Sequence, residues 1–406
     1  MADHAQSAAP RLTLSADEAV IVRLIQMRGP LSRAQLAEAS GYSRAKIAAI
    51  VGRLLDDAVL AEVVEGESSG GRRPRLLGFP AGGNYVVGVD IGATSLDLAL
   101  ADFAGQIVRR AAAPADVRDG PEPVLTQVKG LIREMLEATG IAAERVHSIG
   151  IGVPGPVEFS SGLLIAPPIM PGWEAYPIRS YMAQDFPAAR VVVDNDVNIM
   201  ALGELRGGDG PEDENFIFVK VGTGIGAGIV CQGQVYRGST GCAGDIGHIC
   251  ADPDGPICHC GNVGCLEAMA AGPAIARLAR QAVQEGRSPA LAQLLEAHGT
   301  LTAELVGVAA AQGDAQAMQI IQQSGRLIGD VLAALVNFYN PNRIIIGGGV
   351  SNIGFHFLNA IRRAVLARSL PLSTRHLQIQ YSTLKGDAGV IGAIALALEH
   401  MFVIEA

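Results

Sequence analysis

Apolar positions near the start of the chain recur at helical spacing. Ile47, Ile50, Val51, Leu54 and Leu55 stand at i, i+3, i+4, i+7 and i+8, which predicts one buried stripe on a helix. Ala45, Lys46, Ala49 and Arg53 take the opposite face, with Arg44 at the edge of the first turn. Two capping boxes, Ser15-Ala16-Asp17-Glu18 and Ser32-Arg33-Ala34-Gln35, predict two earlier helix starts, because Ser and Glu/Gln satisfy exposed helix-start N–H groups. Ser40-Gly41-Tyr42 supplies a sharp turn into the third helix at Ser43. Leu60 to Glu65 then reads as a strand, and Gly66 to Gly71 as a turn into Arg72-Arg73-Pro74-Arg75. The order is that of a winged helix-turn-helix. Ser43, Arg44 and Lys46 occupy the helix end that meets base edges, and Arg72, Arg73 and Arg75 suit a narrow minor groove. A helical adaptor would share the three helices; the wing favours DNA.

Beyond residue 84 the pattern becomes strand-like and repeats itself. Tyr85 to Asp90 is a strand leading to Gly92, Ala93 and Thr94, with a returning strand from Leu96 to Asp102. Phe216 to Val221 leads likewise into Gly222-Thr223-Gly224 and a strand ending at Cys231. Two such hairpins predict a duplicated α/β lobe with a cleft between the copies. Their glycines let backbone N–H groups approach phosphate oxygens, so Asp90, Gly92, Thr94, Gly222, Thr223 and Gly224 are candidate nucleotide contacts. Asn340 to Val350 reads as a helix end, a buried strand and a glycine turn, where backbone near Gly348 can lie against an adenosine. Gly386-Asp387-Ala388-Gly389 opens an Ala-rich helix predicted to pack back onto the first lobe.

Composition narrows the picture. The chain has 406 residues, 49% of them hydrophobic and 17% charged, with 50 glycines, which suits a small module plus a two-lobed α/β domain. Its net charge is −9, so no broad attraction to nucleic acid exists. Before residue 84 there are 10 Lys/Arg against 9 Asp/Glu, so any nucleic-acid surface is local and N-terminal. No stretch has the length of a bilayer span and no signal segment opens the chain, so a cytoplasmic location is expected.

Two clusters carry candidate chemistry. Val191 to Val193 is a short buried-type strand ending in Asp194-Asn195-Asp196, ahead of a helix. A carboxylate there can take a proton from a sugar hydroxyl as it attacks a phosphate, and Asn can orient that hydroxyl; both residue types are also favoured helix caps. All six cysteines lie between Cys231 and Cys265. His248 with Cys258, Cys260 and Cys265 makes a tetrahedral structural Zn²⁺ set, with His259 as a substitute ligand. Asp245 and Glu267, on the same loop, can present carboxylates to sugar hydroxyls.

The segment Gly247-His248, followed by Cys258-His259-Cys260-Gly261-Asn262-Val263-Gly264-Cys265-Leu266-Glu267, resembles the signature of the ROK family of repressors and sugar kinases. The likeness runs from about Arg11 to Leu398. It implies an α/β chain with a winged helix-turn-helix and a two-lobed, actin-like ATPase (ribonuclease H-like) sugar-kinase fold. It also implies structural zinc on His248, Cys258, Cys260 and Cys265, and a monosaccharide held by Asn195, Asp196, His248 and Glu267. Asp196 matches the catalytic base of the family's kinases, which would use ATP and Mg²⁺. Those kinases have Asp-x-Gly-Gly-Thr where this chain has Asp90-Ile91-Gly92-Ala93-Thr94, and usually Glu-x-Gly-His where it has Asp245-Ile246-Gly247-His248. Ser32 through Leu55 with Gly70-Gly71-Arg72-Arg73-Pro74 looks like the DNA-binding half of the repressors, which the simple kinases lack.

The resulting expectation is a DNA-binding domain over 1–80, a first lobe over 85–195 joined by a C-terminal helix 388–400, and a second lobe over 196–387 with its zinc loop at 245–267. A homodimer or homotetramer would place winged helices on palindromic operator DNA, with a monosaccharide effector in the cleft shifting their spacing. The alternatives are a glucokinase-like enzyme carrying a DNA-binding domain, and a DNA-binding protein with an empty scaffold.

Overall fold

A computed structural model of the protein describes residues 13–65, 75–80, 82–208 and 215–405; the turn at Gly66 to Gly71 and the side chains of Arg72 and Arg73 lie outside these. The described residues fall into two compact units, 1–153 with 176–194 and 390–406, and 154–175 with 195–389. No helix among them is long and apolar enough to cross a membrane.

The first unit begins with three helices, α1 (Ala16–Arg28), α2 (Arg33–Ser40) and α3 (Arg44–Asp56). Ser15 and Ser32 each close a full capping box, and Ser43 caps α3 by accepting from the Lys46 N–H. Gly41 ends α2 in the left-handed conformation, where a side chain would be strained. Ile47, Ile50, Val51 and Leu54 are buried, whereas Leu55 is only half-buried. Strands Leu31–Ser32, Arg75–Gly78 and Ala61–Glu65 complete the module as an antiparallel three-stranded sheet, in that order.

This module does not stand apart within its unit. Its core residues Ile21, Ile25 and Leu54 share one cluster with Val86, Phe103, Ile394 and Phe402. Strand Thr13–Leu14 pairs in parallel with Val403–Ile404, and Gln26 Nε2 donates to the Leu398 carbonyl at 2.8 Å. The helix Ala388–His400 packs so closely on the sheet that a Cβ at Gly150 would sit 2.2 Å from the Ala393 oxygen.

The duplication is visible in the two five-stranded sheets. In the first unit, Tyr85–Ile91 and Ser95–Asp102 form the antiparallel hairpin, extended by Ile107–Pro114. Val146–Val153 joins its other side in parallel, with Arg190–Asn195 beyond. In the second unit, Phe216–Val221 pairs antiparallel with Ile225–Cys231 and then Gln234–Tyr236, while Arg343–Gly347 and Gln378–Tyr381 continue in parallel. Each sheet therefore has the same strand order around its first strand. Helices Ala315–Tyr339 and Phe355–Arg368 belong to the second unit, whose core takes in Ile321, Leu332 and Ile361 with Ile344 and Val219.

One boundary differs from the sequence expectation. Segment 154–175 falls within the span assigned to the first lobe yet clusters with the second unit. Asn195 Nδ2 donates to the Gly155 carbonyl, the Arg237 guanidinium stacks 4.0 Å from the Phe159 ring, and Gly241 backs onto the Val157 carbonyl. These long-range contacts leave no periodic trace in the chain.

Candidate functional site

Helix α3 presents its exposed face through Ser43, Arg44, Ala45, Lys46 and Ala49, which leaves only short side chains beside the two cations. Lys46 Nζ is 2.8 Å from Asp17 Oδ1 on α1 and lies 3.9 Å over the Tyr42 ring. Tyr42 donates to the same Asp17 oxygen at 2.8 Å. Those two donors hold the Asp17 carboxyl below its ordinary range. Arg75, at the start of its strand, pairs with Glu62 at 2.5 Å, and Arg33 reaches the same carboxylate at 3.3 Å.

In the second unit, His248, Cys258, Cys260 and Cys265 converge so that their ligand atoms all lie within 4.8 Å of one another. His248 Nδ1 is 3.8 Å from Cys258 Sγ, and Cys260 Sγ is 3.6 Å from Cys265 Sγ. Ligands at about 2.3 Å from a tetrahedral ion are separated by about 3.8 Å, so the four residues fit a metal with at most small side-chain shifts. His259 is exposed and is not among them. Local backbone builds the cluster: the main chain at Cys250 pairs antiparallel with that at Cys265, and that at Ile257 with Val263, and a Cβ at Gly264 would fall 1.6 Å from the Asp252 oxygen. In the metal-free protein, burial pushes the Cys258 thiol up to about 12, whereas the Asn262 N–H lowers Cys260 to about 7. A cation reverses that cost by binding thiolates, so metal uptake releases protons.

The carboxylate expected as a sugar base is built at a strand end. Asp196 opens the helix Asp196–Gly207 and is buried at 3% exposure. It forms an ion pair with Lys220 of the central strand, a partner that no spacing rule pointed to. Asn195 does cap the helix, accepting from the Val197 N–H at 2.9 Å, and also orients on Gly155.

Glu267 connects the metal loop to the second glycine turn. Its Oε1 lies 3.4 Å from Cys258 Sγ and 3.9 Å from His248 Nδ1, while Oε2 accepts from the Ile225 N–H at 3.4 Å. Asp245 keeps solvent access yet sits among enough protein for desolvation to raise its carboxyl, with Glu267 adding repulsion.

Both glycine turns are well defined. Gly92 N–H donates to the Ser95 carbonyl at 2.8 Å with Thr94 exposed, and Asp90 is buried at the strand end. Gly222 donates to the Gly224 carbonyl at 2.9 Å with Thr223 exposed. Gly348, at φ 86°, lies so close to Val221 that a Cβ would meet its oxygen at 2.5 Å.

Two sheets with one strand order, glycine hairpins and a Cys/His loop define an actin-like ATPase fold of the repressor and sugar-kinase class. The chain belongs to the ROK family, whose model matches residues 86–400. It is 37% identical over 309 residues to a glucokinase of Halalkalibacterium halodurans, covering 76% of this chain and 93% of that one. It is 31% identical over 382 residues to a putative xylose repressor of a Caldicellulosiruptor species, covering 94% and 95%. Among solved structures, a ROK family transcriptional regulator described as a homologue of the E. coli MLC protein matches with a TM-score of 0.81. That match has 28% identity and covers 95% of both chains.

Proposed function

We propose that the protein is a sugar-responsive, DNA-binding transcriptional repressor of carbohydrate genes, acting in the cytoplasm. One observation carries this reading: the glucokinase relative matches only 76% of the chain, whereas the repressor relative and the MLC-like regulator match 94% and 95%. The family model begins at residue 86, and the capped three-helix module with its antiparallel sheet lies ahead of it.

In this reading α3 enters the major groove, with Ser43, Arg44 and Lys46 toward the bases and phosphates, and Arg72, Arg73 and Arg75 reach the minor groove. A homodimer or homotetramer supplies the two-fold symmetry of a palindromic operator. A monosaccharide lies against Asn195, Asp196, Asp245, His248 and Glu267, where carboxylates accept its hydroxyls and His248 offers the nitrogen that the metal does not use. Zn²⁺ on His248, Cys258, Cys260 and Cys265 is structural, because a closed four-ligand set leaves no open position for chemistry. Sugar and DNA then affect each other through a coupling free energy of about 1–3 kcal/mol.

A second reading keeps Asp196 as a general base for sugar phosphorylation, with ATP and Mg²⁺ against Asp90, Gly92, Thr94, Gly222, Thr223, Gly224 and Gly348. The glucokinase relative favours it. Ala93, whose methyl borders the first turn, and Lys220, paired with Asp196, weigh against it. The test is binding to a duplex from the protein's own upstream region in the presence of D-xylose, D-glucose or D-glucose 6-phosphate, with ATP consumption followed in parallel. A sugar that changes DNA affinity with no ATP consumed is expected; sugar-dependent ATP loss overturns the repressor-only reading.

A further inference from the structure

We propose that Asp17 and Tyr42 restrain Lys46 on the recognition helix and suppress its sequence-independent attraction to phosphate, making Asp17 a specificity-determining residue of the DNA-binding surface. The proposal rests on the DNA-binding reading above.

The geometry is a three-residue arrangement. Lys46 Nζ touches Asp17 Oδ1 at 2.8 Å, lies over the Tyr42 ring at 3.9 Å, and Tyr42 fixes the same carboxylate oxygen from the other side at 2.8 Å. Lys46 stands in the first turn of α3, the end that recognition helices bring to DNA. A phosphate that recruits Lys46 must therefore displace a carboxylate held by two donors. With three N–H donors, Lys46 can meet an operator from its paired position, where base-edge contacts fix the helix, but it must leave Asp17 to follow the phosphates of an unmatched duplex, so the loss falls on non-specific binding alone. The same device recurs in the module, where Glu62 faces both Arg33 and Arg75, and Glu18 faces Arg53 at 2.9 Å. Together these pairings engage four of the 10 basic residues that precede residue 84.

The test measures fluorescence anisotropy of the full chain on a duplex without any operator, and on its own upstream region, from about 50 to about 200 mM salt. Asp17→Asn keeps the shape and removes the charge. It is expected to steepen the log–log salt slope on non-specific duplex by about 0.9, one additional phosphate, and to tighten binding roughly 10-fold at about 50 mM salt. Affinity for the upstream region changes less, so the specificity ratio falls. Asp17→Asn combined with Lys46→Gln returns both slope and affinity to the wild-type level. Tyr42→Phe, which removes only the hydroxyl, gives a smaller change in the same direction and serves if Asp17→Asn folds poorly. An unchanged slope in Asp17→Asn, or a gain that persists after Lys46→Gln, overturns the proposal. Failure of the wild-type protein to bind either duplex at any salt overturns the DNA-binding reading instead.

Discussion

Replacing Asp196 by Asn tests the buried ion pair at the centre of the proposed sugar site. The Asp196 side chain is 4% exposed and that of Lys220 is 20% exposed, so both charges are largely removed from water. Removing one partner of such a pair costs about 3 kcal/mol, because the remaining charge loses the group that offset its desolvation. In a folding unit of 150–250 residues, 1 kcal/mol moves the unfolding midpoint by about 2–4 °C, which gives roughly 6–12 °C here. Lys220→Met should cost a similar amount for the mirror-image reason. The double variant carries neither charge and should recover to within about 1 kcal/mol of wild type, since close partners are not additive. Scanning calorimetry on the three variants reads the midpoints directly. If the double variant loses the sum of the two single losses, the pair is not coupled and the reasoning fails. The same Asp196→Asn protein should lose the sugar-dependent gain in stability, about 2.7 kcal/mol for wild type at 100 times the dissociation constant.

Three further outcomes follow from other parts of the molecule. Cys258→Ser, or treatment with a strong chelator, should abolish stoichiometric zinc measured by atomic emission and lower the thermal midpoint; full zinc content in the variant would show that the metal lies elsewhere. His147 is buried against Asn84 and Phe103, and burial followed by the charge of Arg145 lowers its pKa below the ordinary 6.5. The folded state therefore resists protonation, so stability is constant above about pH 6.5 and declines as pH falls toward the lowered value; melting curves of His147→Gln should lack that component of the slope. Gly150→Ala drives a Cβ to 2.2 Å from the Ala393 oxygen and should cost about 3 kcal/mol, whereas Gly130→Ala, in a helix with open space around it, should stabilise by about 0.5–1 kcal/mol. Equal melting points for the two glycine variants would refute the packing argument.

Local chemistry was legible because its causes are local. A Ser followed three residues later by Glu or Gln caps a helix wherever it stands, and both boxes formed as written, as did the cap at Ser43. The stripe from Ile47 to Leu54 was readable because helical periodicity is geometric, and Leu55 at its edge is only half-buried. The Cys/His set is confined to 18 residues from His248 to Cys265, so closing its loop needs little more than two turns, and the four side chains converge. Glycine hairpins at Gly92 and Gly222 announced the duplication, because a strand, a tight turn and a strand pair with their sequence neighbours.

Tertiary structure decided what depends on residues far apart in the chain. Lys220 stands 24 positions from Asp196, and only the placement of a central strand beside a helix start brings them together. Asp17 and Lys46 belong to separate helices, so the restraint on the recognition helix exists only once α1 and α3 pack. The seating of the first module against the C-terminal helix joins Gln26 to Leu398, a separation of 372 positions across which no period or propensity carries information. Sequence patterns encode the hydrogen bonds and burial that a segment can satisfy by itself, whereas long-range pairings arise from the collective packing that closes the two cores.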